Sequence, residues 1–273
     1  MNGNICQGCA FCNFRDPCYT KTLMKKKYKA LMLDLDGTTI PNRKNGGPTQ
    51  RVITAIKKAN KKLAVCVVTG RQYFQAQPLL EQLQLSDYVV FLNGAQIIDL
   101  QTKKSIYRQP LLEEDKQFII QLLKEHNIPF LVYTQDKKFE GLEYDMKGNV
   151  FKVTAIDITD EQAQTVHHAL ASRSEVIMHN ILSWTPEKMN LDISHVSATK
   201  QHGIFEVAKQ LHIEPHEIIG IGDGPNDFPM LMACGLKVAM GNAVDDLKEI
   251  ADYVAPTVDE DGVAYVIEKF VLQ

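Results

Sequence analysis

The stretch KALMLDLDGT at residues 29–38 decides the fold of this chain. Its apolar first part is typical of a short strand buried in a parallel sheet, and the DGT that follows is typical of a turn. Asp34 and Asp36 then lie at the carboxyl end of the strand, on the same side, and can address one ligand. Two carboxylates this close need a neutralising metal, or one of them keeps its proton.

Two other interpretations of the Asp34–Asp36 pair need to be weighed. A calcium loop would place its glycine at the sixth position, whereas Gly37 is at the fourth position counted from Asp34. A polar strand end without a functional role remains open when this segment is taken alone.

Strands and helices alternate over most of the chain. Buried strands are predicted at residues 29–34, 63–68, 88–92, 217–221 and 237–240. Helices are expected at residues 49–61, 203–211, 227–234 and 245–251. This alternation predicts an α/β fold with a doubly wound parallel sheet, in which ligands bind beyond the carboxyl ends of the strands.

Residues 94–186 follow a different pattern. Their strand candidates, at residues 105–108, 130–133, 150–156 and 175–178, are less uniformly apolar and suit a sheet with one exposed face. One interleaved helix carries Phe118 and Leu122, and another begins at the Thr159 cap. We predict an inserted α+β domain at 94–186, a core formed by 28–93 and 187–273, and a disordered N-terminal extension at 1–27.

Two further segments follow buried strands and carry polar side chains. VVTGR at residues 67–71 places Thr69 and Gly70 at a strand end, where a hydroxyl and free N–H groups can bind phosphate oxygens. IGDGPND at residues 221–227 holds Asp223, Asn226 and Asp227, the last placed to cap the next helix. Asp223 would be a hard oxygen ligand of the kind Mg²⁺ prefers. Each segment alone can also be an ordinary turn.

Lys200 precedes the helix that leads back into the core. A lone lysine there is usually a solvated charge. Its position becomes informative because the other three segments would place anions in front of it.

Taken in order, these four segments resemble the haloacid dehalogenase superfamily of phosphatases. The resemblance covers about residues 28–273, and the insertion is similar to the α+β cap of the Cof-like sugar phosphatase branch. NGA at residues 93–95 and DEDG at residues 259–262 also resemble segments of that branch. One departure is Pro225 in the third loop, which removes an N–H donor.

The resemblance implies a hydrolase that acts on phosphate monoesters of small metabolites, with sugar phosphates as the favoured class. Asp34 would be the covalent nucleophile, and Asp36 would protonate the leaving group and then activate water. Mg²⁺ would be bound by Asp34, by the backbone carbonyl of Asp36 and by Asp223. The resemblance further implies that Asp227 orients the metal site and that the phosphate is held by Thr69, Gly70, Lys200 and Asn226.

Two alternatives stay open. A phosphomutase of the same superfamily would return the phosphoryl group to a sugar instead of to water. In the second alternative, the phosphatase core would carry an N-terminal metal or iron–sulfur module built from Cys6, Cys9, Cys12 and Cys18. The spacing of these cysteines matches a ferredoxin pattern only in part. A start at Met24 would make this segment an artefact of the assigned beginning.

Composition limits the partners and the location. A net charge of -3 excludes the strong basic field of a nucleic-acid binder, and no apolar stretch approaches the length needed to span a bilayer. We expect a cytoplasmic protein, a monomer or weak homo-oligomer, whose partner is a small phosphorylated metabolite and neither nucleic acid nor membrane. In a reducing compartment Cys66 and Cys234 would be buried thiols.

Overall fold

The computed structural model describes residues 28–42, 46–135, 137–141, 143–183 and 185–273. The cysteine-bearing extension at residues 1–27 and Trp184 lie outside the described residues. Within these ranges, none of the helices is long and apolar enough to cross a membrane.

The described chain forms two sheets. The larger sheet contains eight strands: β1 (Ala30–Leu33), β2 (Ala64–Val68), β3 (Tyr88–Phe91), β4 (Gln96–Asp99), β5 (Lys104–Arg108), β11 (Ile218–Gly222), β12 (Leu236–Ala239) and β13 (Tyr253–Val254). The smaller sheet contains five strands: β6 (Phe130–Tyr133), β7 (Lys138–Glu140), β8 (Lys152–Ile158), β9 (Val176–Leu182) and β10 (Met189–His195).

The helices lie between these strands in chain order. They are α1 (Gln50–Ala59), α2 (Tyr73–Leu83), α3 (Glu113–Glu125), α4 (Asp160–Leu170), α5 (Lys200–Leu211), α6 (Phe228–Met232), α7 (Asp245–Ile250) and α8 (Gly262–Phe270). Single 3₁₀ turns are formed by Leu92–Gly94, Pro215–Glu217, Pro225–Asp227 and Val258–Glu260.

The larger sheet has the order β13-β12-β11-β1-β2-β3-β4-β5. β1 is central and pairs in parallel with β2 on one side and β11 on the other. Every residue of β1 is buried, as the apolar run predicts for a strand covered on both faces. The predicted doubly wound α/β fold is confirmed, and the carboxyl ends of β1, β2 and β11 meet at one edge of the sheet.

The helices that cover this sheet follow simple sequence signals. α1 buries Val52, Ala55, Ile56 and Ala59, which recur at helical spacing, and the Thr49 hydroxyl accepts a hydrogen bond from the N–H of Val52 at its start. In α4 the predicted Thr159 cap accepts from the N–H of Gln162. Cys66 and Cys234 are buried free thiols, as expected.

Two strands lie in a different sheet from the one that the expected domain boundaries imply. Lys104–Arg108, expected in the insertion, is the edge strand of the larger sheet and pairs antiparallel with Gln96–Asp99. An edge strand exposes alternate side chains, so its sequence looks like that of a strand with one open face. Met189–His195, expected in the core, lies between β8 and β9 in the smaller sheet. Its buried polar residues Asp192 and Ser194 hide the strand from an apolar pattern.

Candidate active site

Asp34 follows β1 directly and is fixed through its backbone. Its N–H donates to the carbonyl of Ile221 (3.1 Å), and its carbonyl accepts from the Thr39 hydroxyl (2.6 Å). The turn that follows has Gly37 at φ +83°, a left-handed conformation that glycine adopts without strain. This local structure directs the carboxylates of Asp34 and Asp36 into one cavity.

Lys200 begins α5, whose N-terminus is capped by the Thr199 hydroxyl accepting from the N–H of His202. Its Nζ lies 2.5 Å from Oδ1 of Asp34 and 2.6 Å from Oδ1 of Asp227. Burial disfavours the ammonium, but the carboxylates of Asp227 and Asp34 outweigh burial and hold the pKa of Lys200 above its ordinary value. Lys200 is thus a buried cation between two acids.

Asp227 organises the loop after β11. Its Oδ2 accepts the N–H groups of Asp223 and Gly224, each at 2.9 Å, while Oδ1 accepts from Lys200. The side chain therefore closes this loop. The sequence predicts that Asp227 caps α6, but its side chain makes no capping hydrogen bond to that helix. Pro225 is the first residue of the 3₁₀ turn. A missing N–H at this position removes no intrahelical hydrogen bond, so the proline leaves the loop intact.

Asp223 completes a cluster of three carboxylates. Ligand oxygens of Asp34, Asp223 and Asp227 all lie within 4.8 Å of one another. Burial raises the pKa of Asp223 to about 7, although the Thr38 hydroxyl donates to its Oδ1 (2.7 Å) and opposes the rise. Burial also raises the pKa of Asp34, against the effect of Lys200. Crowded hard oxygen donors with raised pKa values are a donor set that suits a divalent cation such as Mg²⁺.

The turn after β2 forms the neighbouring wall of the site. Thr69 is buried, and its hydroxyl accepts from the N–H of Arg71 (3.2 Å). Gly70 and Arg71 line the cavity, whereas Thr69 lies behind them. The Arg71 guanidinium donates two hydrogen bonds to Asp36, from Nε to Oδ2 (2.8 Å) and from the terminal Nη2 to Oδ1 (2.5 Å). This fork fixes the orientation of the Asp36 carboxylate.

The cavity measures about 440 Å³ and lies between the two sheets. Its floor includes Asp34, Asp36, Asp223, Asn226 and Asp227 from the larger sheet. Its other wall contains Ile181 and polar side chains from the smaller sheet: Tyr133, Lys152, Thr154, Asn180, Asn190 and Asp192. Its volume suits a small metabolite.

The predicted site residues come together at this cavity. Asp34, Asp36, Gly70, Asn226, Asp223 and Asp227 line it, Lys200 contacts two of them from below, and Thr69 lies behind the turn. Sequence reasoning assigned no role to Thr38 and Arg71, although both stand inside the quoted motifs. It also missed Lys152 and Asp192, which no motif marks and which meet only because β8 and β10 pair.

The comparisons with known proteins agree with this fold. A family model for haloacid dehalogenase-like hydrolases matches residues 31–267. The chain therefore belongs to the haloacid dehalogenase-like hydrolases. Within them it is a phosphatase of the Cof type, which confirms the predicted family and enzyme class.

Individual relatives cover nearly the whole chain. The chain is 29% identical to the 5-amino-6-(5-phospho-D-ribitylamino)uracil phosphatase YcsE of Bacillus subtilis, over 89% of this chain and 96% of that protein. A haloacid dehalogenase-like hydrolase of Bacteroides thetaiotaomicron has a TM-score of 0.77 at 24% identity, covering 89% of this chain and 99% of the other. The subclass IIB sugar phosphatase BT4131 has a TM-score of 0.75 at 24% identity, with 90% and 100% covered. The two solved structures support the fold.

Proposed function

We propose that this protein hydrolyses phosphate monoesters of small polyhydroxylated metabolites, sugar phosphates among them, in a Mg²⁺-dependent reaction with an aspartyl-phosphate intermediate on Asp34. The observation that carries the proposal is the setting of Asp34. One of its oxygens is bonded to the buried Lys200, and its carboxylate faces the same cavity as Asp36 and Asp223. A carboxylate held in this way is oriented for attack on a phosphorus atom in the cavity.

In the first step an oxygen of Asp34 forms a bond to phosphorus, and the bond from phosphorus to the ester oxygen breaks. Protonated Asp36 gives its proton to that oxygen, and the alcohol leaves. Arg71 orients the ionised Asp36 carboxylate through its fork, and one of its two hydrogen bonds is released when an Asp36 oxygen carries the proton. Lys200 and the N–H groups around Gly70 would offset the charge of the phosphoryl oxygens.

In the second step Asp36 takes a proton from a water molecule whose oxygen attacks phosphorus. The bond between phosphorus and Asp34 breaks, inorganic phosphate leaves, and both side chains return to their starting states. The same residue thus serves as acid and then as base. Asn226, which lines the cavity beside Asp223, is placed to donate to a phosphoryl oxygen.

The carboxylate cluster would hold the metal. Asp34, Asp223 and the main-chain carbonyl of Asp36 are the proposed ligands, and bound Mg²⁺ supplies positive charge beside the phosphoryl oxygens. Asp227 would orient the site, since both of its oxygens already accept hydrogen bonds from Lys200, Asp223 and Gly224.

The cavity wall supports a neutral, hydroxyl-rich substrate body. Its charged side chains are paired with each other, Lys152 with Asp192 (2.8 Å) and Arg71 with Asp36. The remaining polar side chains of the wall are neutral donors and acceptors: Tyr133, Thr154, Asn180, Ser183 and Asn190. Neutral hydrogen-bonding groups recognise hydroxyls and offer nothing to balance a second anionic group.

The test is phosphate release from a panel of monoesters, with and without Mg²⁺. We expect release from sugar and polyol phosphates, dependence on the metal, and much weaker release from esters whose bodies carry a carboxylate or a second phosphate. Conversion of a sugar phosphate to an isomer without phosphate release would instead indicate a phosphomutase. Undiminished release after removal of divalent cations would contradict the metal dependence.

A further inference from the structure

The segment Leu92–Gly94 connects β3 to β4 through an unusual backbone. Three successive residues have positive φ: Leu92 (52°), Asn93 (57°) and Gly94 (117°). For a bulky residue such as leucine this conformation is costly, and it persists only where the surroundings impose it. Here the N–H of Leu92 donates to the carbonyl of Arg71, and that of Asn93 to the carbonyl of Thr69, each at 3.0 Å. The strained segment is therefore bonded to the turn that lines the site.

The Asn93 side chain extends these connections in two directions. It is 2% exposed and does not line the cavity. Its Nδ2 donates to Oδ2 of Asp192 (3.3 Å), and its Oδ1 accepts from Nδ2 of Asn226 (3.2 Å). Because a carboxylate can only accept, the amide nitrogen must face Asp192, which leaves the oxygen for Asn226. One side chain thus joins the smaller sheet to the loop that carries Asp223.

Both carboxylate oxygens of Asp192 accept hydrogen bonds. Besides the contact from Asn93, Asp192 accepts from Lys152 on Oδ2 (2.8 Å) and from the Thr154 hydroxyl on Oδ1 (2.5 Å). Lys152 also donates to the carbonyl of Gly70 (3.2 Å). The ion pair of the smaller sheet therefore contacts the larger sheet at two neighbouring points, Asn93 and the carbonyl of Gly70.

We propose that Asn93 is a positioning residue that couples Asp192 of the smaller sheet to the two loops carrying Gly70 and Asn226. The inference rests on the proposed function of the site but adds a residue that contacts neither substrate nor metal. The loops have their working geometry when the ion pair of Asp192 and Lys152 is seated against Asn93 and Gly70. Loss of the Asn93 amide leaves a buried carboxylate short of a donor and frees Asn226 to turn.

Asn93→Gly is the sharpest variant because glycine adopts φ 57° without strain and loses both side-chain hydrogen bonds. We expect kcat/KM to fall about 10–100-fold, because a small misplacement of groups around the reacting phosphate costs about that much, with most of the loss in kcat. Asn93→Asp keeps the shape but sets an oxygen against Asp192, and its loss should be at least as large. The double variant Asn93→Gly with Asp192→Asn should lose little more than the larger single loss.

Asp115→Asn provides the matched control. Asp115 is also a buried carboxylate outside the larger sheet, paired with Arg173 at 2.5 Å, and neither residue lines the cavity. This variant should be less stable but keep the wild-type kcat/KM. Amide hydrogen exchange gives a second readout that needs no substrate. Exchange at residues 69–71 and at Asp223, Gly224 and Asn226 should speed up in Asn93→Gly and stay unchanged in Asp115→Asn.

Wild-type kcat/KM and wild-type exchange in both Asn93 variants would overturn the proposal, and so would additive losses in the double variant. Failure of the proposed function is a separate result, in which the wild-type protein itself releases no phosphate from any ester. The exchange comparison would still decide whether Asn93 positions the two loops.

Discussion

The Arg71 guanidinium holds the Asp36 carboxylate through two hydrogen bonds, at 2.8 and 2.5 Å, at the wall of the cavity. Both side chains are about one third exposed, so the pair contributes little to folding. The pair orients the Asp36 carboxylate, because a planar fork allows one arrangement of the carboxylate, whereas a single donor allows several.

Arg71→Lys should therefore lower kcat about a hundredfold while leaving stability nearly unchanged, since it keeps the charge and removes the fork. Steady-state kinetics and urea unfolding measure the two effects. Arg51→Lys is the matched control: Arg51 makes a similar forked pair with Glu268, far from the cavity and on the surface. Equal activity of the two variants would show that the orientation of Asp36 does not depend on Arg71.

Lys200→Met should destabilise the metal-free protein. The change leaves two carboxylates, Asp34 and Asp227, without their buried cation, and breaking such a pair costs about 3–5 kcal/mol. Denaturant unfolding in the presence of a chelator measures the loss. Lys237→Met, which breaks a pair with Asp252 whose side chains are 26% and 19% exposed, should cost about 1 kcal/mol. Similar costs for both variants would contradict the buried role of Lys200.

Gly37→Ala tests the contact between the first turn and the carboxylate cluster. A Cβ at this position would lie 2.1 Å from Oδ2 of Asp223, and φ is +83°. Gly148→Ala is a close control, because φ there is +77° and a Cβ would meet nothing within 4 Å. Both variants should lose about 1–2 kcal/mol of stability from backbone strain, and Gly37→Ala should lose more.

Activity separates the two glycine variants. Gly37→Ala displaces Asp223 and should abolish metal-dependent phosphate release, whereas Gly148→Ala should retain it. Isothermal titration with Mg²⁺ checks the cause directly, since only Gly37→Ala should bind the ion more weakly. Equal Mg²⁺ affinity in both variants would remove Asp223 from the metal site.

The raised pKa of Asp223 predicts how stability depends on pH in the metal-free protein. Its pKa is 3.8 in the unfolded chain and about 7 in the folded protein, so between these values the folded state binds the proton more often. The contribution of Asp223 to stability is then complete below about pH 4 and is lost as the pH rises through about 7. Asp223→Asn should flatten this decline, and unfolding midpoints measured from pH 4 to 8 test it.

Bound Mg²⁺ should reverse this dependence of stability on pH. Because the ion binds the deprotonated carboxylate, its apparent affinity should weaken about tenfold for each pH unit below about 7. Titrations at about pH 5.5, 6.5 and 7.5 span the folded-state pKa of about 7 and measure this effect. A Mg²⁺ affinity that does not change with pH would mean that Asp223 holds no proton that the metal must displace.

The sequence could predict the five parallel strands β1, β2, β3, β11 and β12 of the larger sheet, and the edge that carries the candidate site, because the signals are local. Apolar runs such as residues 29–34 mark buried strands, and the polar residues that follow them must share one edge of a parallel sheet. Lys200 was harder to place, since its burial depends on two acids that are distant in sequence, Asp34 and Asp227.

The smaller sheet was predictable only in outline. Asp192 and Lys152 are single charged residues in strands, and nothing local shows that β8 and β10 will pair them. The Arg71 fork depends in the same way on the closeness of two separate turns. Asn93 belongs to the NGA segment that resembles the Cof-like branch, but its hydrogen bonds to Asp192 and Asn226 arise only from the three-dimensional packing.

The most direct test of the central claim is to trap the covalent intermediate. The wild-type protein is mixed with a substrate carrying a labelled phosphoryl group, quenched in acid within the first turnover, digested and mapped by mass spectrometry. We expect a phosphoryl group on the peptide containing Asp34, and no label and no turnover in a folded Asp34→Asn variant. Wild-type turnover without a label on Asp34, or substantial turnover by Asp34→Asn, would contradict it.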